Sequence, residues 1–120
     1  MPSEEVVEVG ALDRLLRIGG REFLIEMIDL FLQHAPERIR AAKEALADGD
    51  TRALYRAAHS LKSTAGNLGA RGLQRVAERV ESRAAEQDLE TIPPLLDEMA
   101  RRYEDVRDRL EAERKRRSGG

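Results

Sequence analysis

The sequence contains no cysteine and no tryptophan, and only two phenylalanines and two tyrosines. The absence of cysteine excludes disulfides and any metal or redox site built on thiolates. Because β-sandwiches draw on aromatic and β-branched residues, this composition favours helices packed through aliphatic and alanine contacts. No apolar run approaches the length of a membrane span, and residues 1–5 lack the basic and apolar regions of a signal peptide. We therefore expect a cytoplasmic protein that contacts no membrane.

Charged residues are abundant but balanced, with 21 lysines and arginines against 23 aspartates and glutamates and a formal net charge of -2. The one basic cluster occupies residues 114–117, at the end of the last predicted helix, where positive charge suits the helix dipole. This distribution argues against a nucleic-acid partner. A length of 120 residues, 41% of them hydrophobic, is enough for one domain with a real core.

The two ends of the chain differ in composition from the middle. Residues 1–10 are acidic and unpatterned, and we predict a flexible N-terminal arm there. Residues 117–120 end in Ser-Gly-Gly and predict a disordered tail. The interpretation is a single domain over residues 11–116, which we expect to be monomeric.

Glycine, proline and capping residues divide this domain into helices, and no strand-like alternation appears between them. The first three predicted helices run from Ala11 to Ile18, from Arg21 to His34 and from Pro36 to a stop at Gly49. The fourth is capped by Asp50 and has an apolar stripe that reaches Leu68, the fifth follows Gly69 with a stripe that reaches Ala84, and the last starts near Pro93 and has a stripe that reaches Leu110. Proline suits the first turn of a helix, and aspartate is a good N-cap. We predict an all-α fold: an up-down four-helix bundle with one or two short additional N-terminal helices.

His59 lies beside the apolar stripe of the fourth predicted helix. It follows Ala58 in that stripe and is therefore about 100° round the helix, at the edge of the buried face. Its own face carries Lys62, Ser63 and Gly66. The small residues leave the surface open, and a mid-helix glycine costs about 1 kcal/mol relative to alanine. A histidine at such an edge is ordinarily structural, so periodicity alone leaves both a structural and a functional interpretation open.

Most catalytic patterns are missing from the sequence. It contains no glycine-rich phosphate loop and no nucleophile elbow. Helical di-iron sites need a glutamate three residues before a histidine, but Phe31 precedes His34 at that distance and Arg56 precedes His59. We expect no metal site and no cofactor of the chain's own.

The string from Ala58 to Ala70, AHSLKSTAGNLGA, resembles the signature of histidine phosphotransfer (Hpt) domains: Ala-His-x-Leu-Lys, small residues, then Asn-Leu-Gly-Ala. The resemblance extends over residues from about 11 to 110. The phosphorylated helices of dimeric histidine kinases match less well, because Ser60 and Thr64 stand where those helices carry Glu and Pro. The amino-terminal module of chemotaxis kinases is similar to this motif, so both a free-standing protein and an excised domain remain open.

The resemblance implies that His59 accepts a phosphoryl group on Nε2, from a receiver-domain aspartate or a histidine kinase, and relays it to another receiver. Lys62 would offset the phosphoryl charge, and Ser63 would contact the phosphate. Glu81 matches a position whose side chain orients the histidine through its other ring nitrogen. The partner receiver would supply Mg²⁺, which makes the chain a phosphocarrier and not a kinase.

Partners implied by the resemblance are response-regulator receivers and a sensor histidine kinase of the hybrid or chemotaxis type. We expect docking through an exposed apolar patch near the histidine. The predicted contact residues are Leu12, Leu16, Ile18, Ile28, Gly66 and Leu68. Two other hypotheses are an Hpt-like module that docks receivers without transferring phosphate, and a structural helical adaptor.

Overall fold

The structure, a computed structural model, describes residues 5–118, and this part of the chain forms four helices. They are α1 (Val9–Asp48), α2 (Thr51–Asn67), α3 (Arg71–Ala85) and α4 (Ile92–Ser118). Short connections make consecutive helices antiparallel neighbours, and α4 returns to pack on α1 as well as on α3. The predicted all-α four-helix bundle is confirmed. Within residues 5–118, no helix is long and apolar enough to cross a membrane.

Aliphatic stripes from all four helices meet in one core. The predicted stripe of α2 is buried throughout, with Leu54, Ala58 and Leu61 at 0% exposure. The aromatic rings of Phe31 on α1 and Tyr103 on α4 lie 5.9 Å apart, centroid to centroid, and join those two helices. Within the described residues, every buried side-chain nitrogen or oxygen has a hydrogen-bond partner. The core is therefore mainly aliphatic, as the composition indicated, and its polar side-chain atoms are all hydrogen-bonded.

The turn between α1 and α2 follows from two residues. Gly49 adopts a left-handed conformation (φ 69°), and its amide donates to carbonyl oxygens of the last turn of α1. Asp50 then caps α2, since its carboxylate accepts a hydrogen bond from the Ala53 amide at 3.0 Å. The predicted helix stop and the predicted N-cap are both confirmed.

Gly20 divides α1 into two segments of different direction. Its backbone (φ 85°, ψ -176°) is not helical, and a positive φ of this size favours glycine. The segment before it, from Val9 to Gly19, is the short N-terminal helix predicted over residues 11–18. It packs Ala11, Leu12 and Leu15 against the bundle.

The prediction that Pro36 begins a new helix is wrong, because α1 continues through it. Proline has no amide hydrogen to offer the Leu32 carbonyl, and inside a helix it costs about 3 kcal/mol. The buried stripe nevertheless runs on across it, with Ala35 2% exposed and Ile39 7% exposed. Packing of that stripe offsets the cost of the proline.

The predicted flexible arm over residues 1–10 is wrong from Val7 onward; residues 1–4 lie outside the described part of the chain. Val7 is only 1% exposed, because its side chain inserts into the core. The Glu8 amide donates to the Gly69 carbonyl at 3.0 Å, and Arg71 donates to the Glu8 carboxylate at 2.9 Å. Gly69 has φ 75°, and a Cβ on it would lie 2.6 Å from the Cβ of Ala11. The segment before α1 thus closes over the α2–α3 turn.

The C-terminal tail predicted over residues 117–120 also begins later than predicted. Arg117 and Ser118 belong to the last turn of α4, and residues 119–120 lie outside the described part. Arg117 is held from two sides: its Nε contacts the Glu113 carboxylate at 3.3 Å, and its carbonyl accepts from Arg21 at 3.2 Å. These contacts stabilise the helix to its end.

Candidate functional site

His59 lies near the middle of α2, on the side facing away from the core. Its side chain is 54% exposed, whereas the neighbouring Ala58 is fully buried. Periodicity places His59 at the edge of the buried face, and in the structure its side chain lies on the exposed side of that edge. A partner can approach the imidazole directly.

Glu81 on α3 joins the two charged residues of the α2 motif. One carboxylate oxygen, Oε2, contacts Nδ1 of His59, and the other, Oε1, accepts a hydrogen bond from Nζ of Lys62 at 2.7 Å. The whole Glu81 residue is only 7% exposed. The structure therefore brings together three of the predicted site residues around one nearly buried carboxylate.

The protonation of this cluster follows from its contacts. Burial raises the pKa of Glu81, but the hydrogen bonds from Lys62 and His59 outweigh it and leave the pKa below its ordinary value. The hydrogen bond to Glu81 raises the pKa of Lys62 in turn. Glu81 is thus an anion at neutral pH, and an ionised carboxylate can only accept. The shared hydrogen belongs to Nδ1 of His59, which leaves the lone pair of the neutral ring on Nε2.

Tyr55 flanks the histidine one turn earlier on α2. The two rings are nearly parallel, with an interplanar angle of 8° and centroids 6.0 Å apart. Tyr55 is itself 39% exposed, so both rings present an edge to solvent. The four-residue spacing was the signal for this contact, but sequence reasoning assigned Tyr55 no role.

The two small residues of the motif differ in their surroundings. Ser63 is exposed one turn after His59, and its contact with phosphate stays a prediction. Gly66 is half-buried, and a Cβ there would lie 2.6 Å from Nε2 of Gln74 on α3. The Gln74 side chain therefore occupies the space that a side chain at position 66 would need. From the sequence, Gly66 is expected only to keep the surface near His59 open.

Three of the six predicted docking residues belong to the core. Leu12 is 1% exposed and Ile28 0%, so the prediction that these two lie in an exposed patch is wrong. Leu68 is 2% exposed but lines an apolar groove between α1 and α2, so its contact with a partner stays a prediction. The three side chains belong to the buried stripes of their helices. The spacing of apolar residues alone did not distinguish a position inside such a stripe from one at its exposed edge. Ile18 is 69% exposed, and Leu16 is partly buried against the core. The predictions for these two and for Gly66 stay predictions.

An apolar groove of about 220 Å³ between α1 and α2, here called the α1–α2 groove, was missed. Its lining residues are Met27, Leu30, Phe31, His34, Thr64, Asn67 and Leu68. Leu30 is 41% exposed, and Thr64 follows His59 by five residues on the same helix. The signal was the apolar segment of α1 from Met27 to Phe31, of which Leu30 stays exposed in the bundle. Within residues 5–118, no group of three or more His, Asp or Glu side chains could hold a metal ion.

Comparisons with known proteins agree with the fold and with the motif of α2. The structure is similar to that of histidine-containing phosphotransfer protein B (HptB) from Pseudomonas aeruginosa PAO1, with 30% identity and a TM-score of 0.90 over 95% of this chain and 98% of that one. It shares its fold with the HPT domain of the Hpt sensor hybrid histidine kinase from Shewanella, with 21% identity and a TM-score of 0.71 over 84% and 89% of the two chains.

No curated protein matches the sequence. The family model of the Hpt domain, however, matches residues 26–113, a span that includes α2, α3 and all three members of the Glu81 cluster. The match covers most of the chain, and the fold and the motif agree with it. The chain belongs to the Hpt domain family.

Proposed function

We propose that this chain, a phosphotransfer protein of phosphorelays, carries the phosphoryl group on Nε2 of His59. The observation that supports the assignment is the contact between Glu81 and Nδ1, which leaves Nε2 as the exposed nucleophilic nitrogen. The group comes from a receiver-domain aspartyl phosphate or a histidine kinase and passes to another receiver. Hpt proteins are phosphocarriers that work with such partners and are not kinases themselves; we propose that the chain has no enzymatic activity of its own.

The transfer from a receiver needs little from His59 beyond its lone pair. Nε2 attacks phosphorus in line, the P–N bond forms, and the P–O bond to the aspartate breaks with its electron pair going to the leaving carboxylate. The imidazole keeps its hydrogen on Nδ1 and becomes cationic. The Glu81 carboxylate stabilises that cation through the existing contact, and it also fixes the ring so that Nε2 points outward.

Lys62 is placed to offset the charge of the phosphoryl group. It lies one turn after His59, and its ammonium is already beside the site, on Glu81. The raised pKa keeps it charged throughout the neutral range. We infer that Lys62 contacts both the carboxylate and the phosphoryl oxygens in the phosphorylated protein, and that Ser63 offers its hydroxyl from the same face.

The partner supplies what the chain does not. Mg²⁺ in the receiver would neutralise the phosphoryl oxygens during transfer. We propose that the receiver docks over His59 between Ile18 and the α1–α2 groove, since both are apolar and accessible. The contact should be small and short-lived because successive partners exchange. A cytoplasmic monomer fits this exchange.

The experiment that tests the assignment follows the phosphoryl group. The protein is incubated with a radiolabelled phosphorylated receiver and Mg²⁺, and we expect label that is acid-labile and alkali-stable, as phosphohistidine is. A His59→Gln variant should take up none. Label that persists in this variant contradicts the assignment. Binding of the receiver without label in the wild-type protein would instead support a docking module without transfer.

A further inference from the structure

Helix α2 has an unusual charge for this chain. It carries three cations, Arg52, Arg56 and Lys62, and no acidic residue, whereas each of the other three helices contains at least two. The whole sequence has a formal net charge of -2. With three cations and no acid, the helix that bears His59 has a formal net charge of +3.

Arg52 and Arg56 lie on the same side of α2 as His59. They precede it by seven and three residues, which places all three side chains on one helical face, and both arginines are exposed. Tyr55 lies between them and stacks on the histidine. Tyrosine and arginine are among the residue types enriched at the centres of protein interfaces.

Neither arginine is used to stabilise the bundle. Within residues 5–118, Arg52 and Arg56 make no hydrogen bond or ion pair, whereas Arg102 and Arg114 are bound to acids at 2.9 and 2.6 Å. Arg52 moreover lies in the first turn of α2, where a positive charge is unfavourable to the helix dipole. Arg40 and Lys43 are also exposed cations without a hydrogen bond or ion pair in the described part of the chain. What distinguishes Arg52 and Arg56 is therefore their place on the face of α2 that carries His59 and Tyr55.

We propose that Arg52 and Arg56, with Tyr55 between them, form a second part of the receiver-docking surface, which recognises the acidic rim of the receiver's phosphoacceptor pocket. That pocket must hold Mg²⁺ through carboxylates and carry an anionic phosphoryl group, so its rim is the electrostatic complement of this face. The apolar α1–α2 groove lies beyond His59, on Thr64 and Asn67, so the partner is held on both sides of the histidine. The proposal rests on the proposed function of His59.

The test compares R52E/R56E with a matched control, R40E/K43E. Arg40 and Lys43 are also exposed cations one turn apart, but they line a groove between α1 and α4, away from α2. From a panel of receiver domains phosphorylated with acetyl phosphate, the one that transfers fastest to the wild-type protein is used. We expect R52E/R56E to slow its transfer about tenfold at about 0.01 M salt, with the loss shrinking as salt approaches about 1 M. The control should stay within about twofold of wild type.

Two further measurements separate the outcomes. Phosphoramidate, a small donor that needs no docking surface, should label His59 equally in wild type and R52E/R56E, which shows an intact acceptor. If the charge reversal prevents folding, R52Q/R56Q replaces it, with an expected loss of about threefold. Wild-type transfer rates in the arginine variants, or an equal loss in R40E/K43E, would overturn the proposal. A wild-type protein that takes label from no donor would overturn the proposed function instead.

Discussion

Two glutamates of this bundle are nearly buried, and their surroundings differ in an instructive way. Glu81 on α3 is 7% exposed and Glu113 on α4 is 6% exposed. Burial raises the pKa of each carboxyl, and hydrogen bonds from cations outweigh that effect in both, so that both pKa values lie below the ordinary one. By burial and charge alone, the two sites would be taken for the same kind of feature.

The two carboxylates differ in the residues that they contact. Glu113 contacts Arg116 at 2.6 Å, with Arg117 and Arg109 at 3.3 Å, all on its own helix. Arginine stays charged at any ordinary pH and is a poor nucleophile, so this cluster only stabilises the end of α4. Glu81 instead reaches across to α2, where one of its partners is an imidazole with a free nitrogen. A buried acid is thus informative about function only through the groups it contacts.

Glu81→Gln compared with Glu113→Gln should give the largest difference between the two sites. A glutamine amide can donate to Nδ1 and thereby move the imidazole hydrogen to Nε2, the wrong nitrogen for attack. We expect transfer to His59 to slow on the order of 10- to 100-fold in Glu81→Gln, in line with the loss of a group that orients a reactive histidine. Glu113→Gln should transfer at the wild-type rate. Initial rates of label uptake measure both, and equal rates would remove Glu81 from the mechanism.

Lys62→Ala compared with Arg116→Ala should show a smaller difference. Lys62→Ala should still accept label, but we expect transfer to slow by about two- to fivefold, the upper part of the range for one exposed ion pair. The phosphohistidine should also hydrolyse faster, because its charge is less well compensated. Arg116→Ala removes the closest partner of Glu113 and should leave both rates unchanged. Unchanged rates in Lys62→Ala would show that the lysine serves only Glu81.

Acid unfolding should show the smallest difference, because it depends on what the two glutamates share. A glutamate whose pKa is lowered by folding contributes stability above its unfolded pKa, near 4.5, and loses it as the pH falls through the folded value. The free energy of unfolding should therefore fall below pH 4.5 in the wild-type protein. Glu81→Gln and Glu113→Gln should each flatten that fall, as urea titrations at several pH values would show. A wild-type slope in either variant contradicts the corresponding pKa shift.

The fold was predictable from the sequence because its signals are local. The apolar spacing of α2, the glycine at position 49 and the aspartate cap at position 50 each act within a turn or two, and the structure has all three as predicted. Pro36 failed for the opposite reason. Its local preference is overridden by neighbours that are distant in sequence, whose packing keeps α1 continuous.

The contact between Glu81 and His59 was expected from the resemblance, but the contact between Glu81 and Lys62 was not. The motif placed His59 and Lys62 on α2, and their sharing of one Glu81 carboxylate depends on how closely α3 approaches α2. The docking residues were harder still. Ile28 and Leu30 are separated by two positions in one apolar segment, and only the packed bundle shows that the first is buried and the second exposed.

Gly69 gives the motif from Ala58 to Ala70 a second meaning. The residues around His59 serve the chemistry, whereas Gly69 serves the packing of the chain. Its left-handed backbone and its lack of a Cβ leave room for the segment before α1, and its carbonyl accepts a hydrogen bond from the Glu8 amide. The string that carries the family resemblance therefore contains both a reactive group, His59, and the turn against which the segment before α1 packs. A side chain at position 69 would leave His59 intact but would displace the segment before α1 from the α2–α3 turn.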